Sequence, residues 1–229
     1  MNKSIRIGTF LMFGAILLAS VQPVLADNWW SRHRDGIRGS GDLKTEKRDV
    51  GNFTRIETSG SFDVDVIVGE EASLTVTFDD NLLEFVLTEV HAGTLYIDTE
   101  ESFSSRRGCK VEITVPVLEA VESSGSGDIS VRRVKGKEFK YTISGSGDVL
   151  LDGTVDQLEI SIAGSGDVDA RDLRSKEAYV KISGSGDVEV YASEYLDGRI
   201  YGSGDISYYG NPEDTNKKVY GSGSITRRR

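Results

Sequence analysis

Residues 158–170 read Leu-Glu-Ile-Ser-Ile-Ala-Gly-Ser-Gly-Asp-Val-Asp-Ala. The even positions Leu158, Ile160, Ile162, Gly164, Gly166, Val168 and Ala170 are apolar or glycine. The odd positions Glu159, Ser161, Ser165, Asp167 and Asp169 are polar, with Ala163 the exception. Tyr141, Ile143, Gly145, Gly147, Val149 and Leu151 keep the same phase, as do Val180, Ile182, Gly184, Gly186, Val188 and Val190. A strict period of two is the signature of a strand with one buried face. The phase runs unbroken through Gly-Ser-Gly, which predicts that both glycines point inward, where a missing side chain lets the strand bend or lets two backbones approach closely.

The tetrapeptide recurs. Gly-Ser-Gly-Asp stands at 125–128, 145–148, 164–167, 184–187 and 202–205, with a degenerate last copy, Gly-Ser-Gly-Ser, at 221–224. Successive copies start 20, 19, 20, 18 and 19 residues apart. An earlier copy lies at 39–42, and a variant, Gly60-Ser61-Phe62-Asp63, follows it. Each repeat reads as strand, glycine corner, strand and a polar return such as Leu151-Asp152-Gly153-Thr154. One repeat cannot bury its apolar face alone, whereas copies stacked at the ~4.8 Å strand spacing share a continuous core. The expected fold is therefore all-β: a single-domain β-solenoid, parallel β-helix-like, with coils of 19–20 residues and a leading β-rich capping region. Six coils make a stack roughly 25–30 Å tall. An antiparallel sandwich also alternates, but gives no reason for one tetrapeptide at a near-constant interval.

The segment ahead of the repeats has a different texture. Phe53–Thr58, Ser61–Val68, Leu74–Phe78 and Lys110–Val115 alternate as strands, and Val86–Val90 with Thr94–Asp98 reads as a hairpin across His91-Ala92-Gly93. Asp79-Asp80-Asn81 offers a cap for one helical turn at Leu82–Phe85. The expected organisation is a signal peptide at 1–26, a flexible lead-in at 27–48, a β-rich cap at 49–120, the repeat solenoid at 121–226 and a basic tail at 227–229. Charge beside the last strand discourages edge-to-edge pairing.

Composition narrows the function. The 229 residues carry 27 Lys+Arg against 37 Asp+Glu, a net charge of -10, and 38% are hydrophobic. Such an acidic chain is not expected to bind nucleic acid, whose phosphates attract Lys/Arg-rich faces. One Cys excludes an intramolecular disulfide framework, and with two His leaves too few soft ligands for a usual zinc site. Met1–Ala26 has Lys3 and Arg6, an apolar run at Gly8–Val21, and Val24-Leu25-Ala26 at a cleavage site. This predicts a secretory signal peptide, an exported mature chain in the periplasm, outside the cell or on its surface, and no membrane span after cleavage. Most of the acidity falls before residue 121.

Three segments carry a family resemblance. They are Val50-Gly51-Asn52-Phe53-Thr54-Arg55-Ile56 leading into Ser59-Gly60-Ser61-Phe62-Asp63-Val64; Asp80-Asn81-Leu82-Leu83 followed by Gly93-Thr94-Leu95-Tyr96-Ile97; and Val111-Glu112-Ile113-Thr114-Val115-Pro116-Val117-Leu118 running into the tetrapeptide series. In this order they resemble the bacterial auto-transporter adhesin, head GIN domain family, over about Gly39 to Thr226. The resemblance implies an envelope or secreted β-rich domain without known catalytic residues. Many members resemble lipoproteins, and this chain lacks the lipid-bearing cysteine that those have.

In a stack, equivalent residues form ladders. Asp128, Asp148, Asp167, Asp187 and Asp205 are expected in one outer column, and Ser126, Ser146, Ser165, Ser185, Ser203 and Ser222 in the next. Carboxylates ~5 Å apart repel by about 1 kcal/mol in water. Hydrogen bonds from turn amides or adjacent serines offset that; a bound Ca²⁺ held by carboxylates and carbonyls is the alternative, although known calcium-binding glycine-Asp repeats have a nonapeptide period. A polysaccharide-acting enzyme is the third reading. It requires an asymmetric acid–base cluster, and the repeats present the same groups on every coil, with no His to serve a Ser nucleophile. His91 and His33 read as solvated, and Cys109 as a buried thiol or a partner in an intermolecular disulfide. The outward tyrosines Tyr201, Tyr209 and Tyr220 are candidate ligand contacts. The sequence thus points to a non-catalytic binding or adhesion module without a cofactor, whose partner is an envelope glycan or protein.

Overall fold

The computed structural model describes residues 36–229. The expected signal segment, Trp29-Trp30 and His33 lie outside the described residues. In chain order the strands are β1 (Ile37–Arg38), β2 (Leu43–Lys47), β3 (Arg55–Gly60), β4 (Phe62–Val68), β5 (Ser73–Asp79), β6 (Val86–His91), β7 (Thr94–Thr99), β8 (Phe103–Ser104) and β9 (Cys109–Val115). They continue as β10 (Ala120–Gly125), β11 (Ile129–Ile143), β12 (Val149–Ile162), β13 (Val168–Ile182), β14 (Val188–Ile200), β15 (Ile206–Tyr209), β16 (Asp214–Val219) and β17 (Ile225–Arg227).

The repeat strands pair in parallel, each with the next. Ile129 faces Val149, Val149 faces Val168, Val168 faces Val188, Val188 faces Ile206 and Ile206 faces Ile225. In the second half of each long strand Tyr141 faces Ile160, Ile160 faces Val180 and Val180 faces Gly198. Equivalent positions of successive repeats are thus direct neighbours. The inward phase, including Val149, Leu151, Leu158, Ile160 and Ile162, is buried in one hydrophobic core. The architecture is all-β, with long, mostly parallel adjacent strands, consistent with a β-helix-like fold.

The polar return expected at Leu151-Asp152-Gly153-Thr154 is not a turn. β12 runs straight through it, and the pairing absorbs the irregularity as register shifts, between Val131 and Val134 on one side and Leu150 and Asp152 on the other. Arg133 sits there at φ 61, its backbone N–H donating to Asp152 Oδ1 at 2.7 Å. A bulge keeps the flanking backbone groups in the ladder, which a loop would not.

The leading segment does not form a separate lid. β3 pairs in parallel with β10 and β7, and β4 with β11 and β9. These strands therefore extend the same parallel array, although β7 and β9 follow β3 and β4 in the chain and lie outside them. Antiparallel β6, β5 and β2 finish the two faces. The expected hairpin is β6–β7, turning through Ala92 (φ 49) and Gly93 (φ 77), the left-handed pair that a two-residue hairpin loop favours.

Two expectations need correction here, and one sequence likeness does not carry over into the structure. The described part of the lead-in is not flexible chain: β1 pairs with β8, and β2 with β5. The early tetrapeptide at 39–42 does not join the repeat column. It wraps around Asp79-Asp80-Asn81 instead, with Ser40 N–H donating to Asn81 Oδ1 (2.9 Å) and Gly41 N–H to Asp79 Oδ1 (2.7 Å). Those three residues consequently do not cap a helix. The turn is a 3₁₀ helix at Leu83–Phe85 whose N-cap, Leu82, makes no side-chain cap bond. Buried Asp79 also accepts from Ser105 Oγ.

The glycines of the tetrapeptides mark the closest approach between repeats. A Cβ on Gly145 would lie 1.9 Å from the carbonyl oxygen of Gly125, and one on Gly147 2.0 Å from that of Gly127. Gly147 is buried and Gly145 half-buried. What demands glycine is the backbone of the preceding repeat rather than lack of space in the core. Cys109, by contrast, is deep in the core, which removes it from any intermolecular disulfide. Burial pushes its thiol up to about 12, with the nearby charge of Asp63 acting in the same direction.

Gly147→Ala should therefore destabilise by about 1–3 kcal/mol, as overpacking does. Gly136→Ala, whose Cβ meets nothing closer than 3.8 Å, should stay within about 0.5 kcal/mol of the parent. Urea unfolding of the two variants measures the contrast. Cys109 should resist alkylation at pH 8 in the folded protein, because the thiolate is the nucleophile, and react once urea unfolds the chain; mass spectrometry of the iodoacetamide adduct reads this.

Candidate functional site

The five aspartates of the repeat do form one column. Asp148 N–H donates to Asp128 Oδ1 (3.0 Å), Asp167 N–H to Asp148 Oδ1 (3.4 Å), Asp187 N–H to Asp167 Oδ1 (2.8 Å) and Asp205 N–H to Asp187 Oδ1 (2.7 Å). The series begins at Asp63, which accepts Asp128 N–H at 3.2 Å, and ends at Ser224, whose N–H donates to Asp205 Oδ1 at 2.6 Å. Between these rungs the next backbone bond runs the other way: Val149 N–H donates to the carbonyl of Asp167 and Val168 N–H to that of Asp187. The carboxylate thus stands in for a backbone carbonyl as the acceptor of the next repeat's Asp N–H. Each carboxylate gains an amide donor that offsets repulsion from its neighbours.

The serine column lies beside it. Ser146, Ser165, Ser185, Ser203 and Ser222 each donate the backbone N–H to a glycine carbonyl of the preceding repeat. Ser126 Oγ lies 3.1 Å from Ser61 Oγ. The hydroxyls of Ser146, Ser165, Ser185 and Ser203 make no hydrogen bond within the described residues and face outward on exposed positions.

The three tyrosines separate. Tyr201 and Tyr220 immediately precede the glycines of the last two copies, and their rings stack at 5.1 Å with planes 9° apart. They remain 45% and 60% exposed. Tyr209 belongs to a different column, opposite Tyr191, and donates its hydroxyl to Glu189 Oε2 at 3.1 Å. Glu189 also pairs with Arg171 Nε (2.8 Å), which binds Asp169. The hydrogen bond from Arg171 holds the Asp169 carboxyl below its usual range. Tyr209 is therefore a member of a surface ion-pair network, not of the Tyr201–Tyr220 pair.

Sequence reading missed one column. Lys181 faces Arg199, and Arg199 faces Lys218, so three cations lie side by side next to the stacked tyrosines. Lys181 Nζ sits 5.8 Å from the Tyr201 ring centre. The signal was the spacing itself: adding the local repeat lengths of 18 and 19 to 181 gives 199 and 218. Among the described residues no group of three or more His, Cys, Asp or Glu side chains is gathered as for a metal ion. No helix there is long and apolar enough to cross a membrane. His91 is exposed in its hairpin turn, 2.9 Å from Glu89.

Solved structures share this fold. A putative adhesin from Bacteroides fragilis NCTC 9343 matches with a TM-score of 0.68 at 24% identity, over 84% of this chain and 100% of its own. A protein from Parabacteroides distasonis ATCC 8503, described as a putative lipid binding protein, matches with a TM-score of 0.58 at 27% identity, over 84% and 99%. A putative adhesin from Parabacteroides merdae ATCC 43184 matches with a TM-score of 0.50 at 20% identity, over 84% and 99%. Among curated proteins none matches this chain. The family model described as "Putative auto-transporter adhesin, head GIN domain" matches residues 52–212, which covers the parallel array from β3 to β15, and the chain belongs to that family.

Proposed function

We propose that the protein is an exported, non-catalytic β-solenoid that binds a surface glycan or protein through its outer columns. The in-register parallel pairing of six tetrapeptides supports the solenoid winding, and the N-terminal sequence Met1–Ala26 supports export. The observation that carries the binding role is the Tyr201–Tyr220 pair: two large aromatic side chains left exposed and stacked on each other at the last two repeats. Rings held against each other cost little further ordering when a ligand arrives. The aspartate column acts as part of the scaffold: its carboxylates are engaged as acceptors for the next repeat, which favours a hydrogen-bonded ladder over a calcium ladder.

These readings make separate predictions for stability, for calcium and for binding. Asp187→Ala should cost about 1–2 kcal/mol by leaving Asp205 N–H without its charge-assisted acceptor, and Asp187→Asn, which keeps an oxygen there, should recover most of it. Millimolar Ca²⁺ should leave the melting temperature of the parent unchanged; a clear rise would restore the calcium reading. For binding, a glycan array and an envelope pull-down with the mature chain should both be weakened by Tyr201→Ala and Tyr220→Ala. Capture that is undiminished in both variants would remove the tyrosines from the site.

A further inference from the structure

Building on that binding role, we infer that the ligand is a linear acidic polysaccharide with a carboxylate on each sugar, lying along the column Lys181, Arg199 and Lys218. The protein is acidic overall, yet here three exposed cations occupy neighbouring strands in one register. The nearby carboxylates are already engaged. Asp197 is buried and takes both Arg199 Nε (2.8 Å) and Arg199 Nη2 (2.9 Å), together with Asn216 Nδ2 (2.8 Å). Glu159 is paired with Lys140 at 2.8 Å. Lys181 and Lys218 pair with no carboxylate among the described residues, so their charge is available. Arg199 is held by Asp197 through two nitrogens while its side chain stays exposed, and a fixed planar guanidinium suits a carboxylate better than a mobile ammonium does.

Spacing narrows the chemistry further. Strands repeat every ~4.8 Å, close to the length of one pyranose unit in an extended chain. Alternate sugars of a two-fold extended chain face the same side, so a polyuronate laid parallel to the stacking direction can turn one carboxylate to Lys181 and the next on that side to Lys218, two strand spacings on. The stacked tyrosines wall one side of this strip. Their inner ring faces are turned toward each other and Lys181 Nζ lies over the Tyr201 ring, which leaves the outer face of Tyr220 for a sugar to stack on. On the other side a shallow cavity of about 260 Å³ admits the ring of a sugar; it is lined by Ser161, Tyr179, Lys181 and Arg199 and also by Glu159 and Asp197, the two carboxylates already paired with Lys140 and Arg199.

The test is isothermal calorimetry of the full chain with short oligogalacturonates and with the same oligomers reduced at the carboxyl group. The acidic oligomer should bind, and added salt should weaken it. Lys181→Glu and Lys218→Glu should each lower affinity at least tenfold, with the thermal melt unchanged. Lys135→Glu, on an exposed position of another column, should bind like the parent. Failure of the oligogalacturonate to bind, or equal binding by the reduced oligomer or by both Glu variants, overturns the inference. If the reduced oligomer or another neutral glycan binds and Tyr220→Ala abolishes it, only the acidic ligand is wrong. If neither glycans nor envelope proteins bind, the broader binding role falls as well.

Discussion

At every tetrapeptide corner the backbone of one repeat rests on the carbonyl of the repeat before it, at a distance that leaves no room for a single carbon atom. A Cβ at Gly164 or Gly184 would come within about 2 Å of the preceding glycine's carbonyl oxygen. This contact sets the register of the whole array. Once glycine meets glycine, Val or Ile two positions later must meet its equivalent, and the apolar phase of each strand is carried into the core. A slip of one residue would turn every apolar side chain to solvent, and also drive a serine into the corner. The hydrophobic pattern and the glycine pattern therefore enforce the same alignment independently.

The aspartate that ends each tetrapeptide follows from the same corner. Where the chain bends, one backbone amide of the next repeat donates to this carboxylate rather than to a backbone carbonyl. That arrangement gives each of the like charges lined up at strand spacing an amide donor that offsets their repulsion. It also explains why the early copy at 39–42 behaves differently. Its neighbour is not another tetrapeptide but Asp79-Asp80-Asn81, so its amides turn to those side chains instead.

Much of this was legible in the residues. Alternation and repeat spacing specified the strands, their parallel stacking and the aspartate column, because those features depend only on period and on identity at equal offsets. The polar segments around Asp152 misled, since Asp-Gly normally signals a turn, whereas here it marks a bulge inside a continuous strand. The order of β3, β4, β7 and β9 was illegible, because local pattern says that a strand is half-buried but not which neighbour it chooses. The pairing of β2 with β5 was hidden for a related reason: Leu43–Lys47 has little apolar character, and its place comes from backbone hydrogen bonds. Of the site, the outward exposure of Tyr201 and Tyr220 followed from phase, but their stacking did not. That Tyr209 stands in another column was illegible, because the outward phase alone does not separate two columns that lie on opposite sides of the corner.

The register shifts divide each repeat into two regions under different rules. Near the tetrapeptide, length is invariant; around Val131–Val134, Ala170–Arg174 and Ser175–Glu177, one to three residues are gained or lost between neighbours without disturbing either flank. The repeat lengths of 18 to 20 residues are the visible result. A lineage can therefore lengthen or retexture that margin, and graft new recognition loops onto it, while the glycine spine continues to be inherited unchanged.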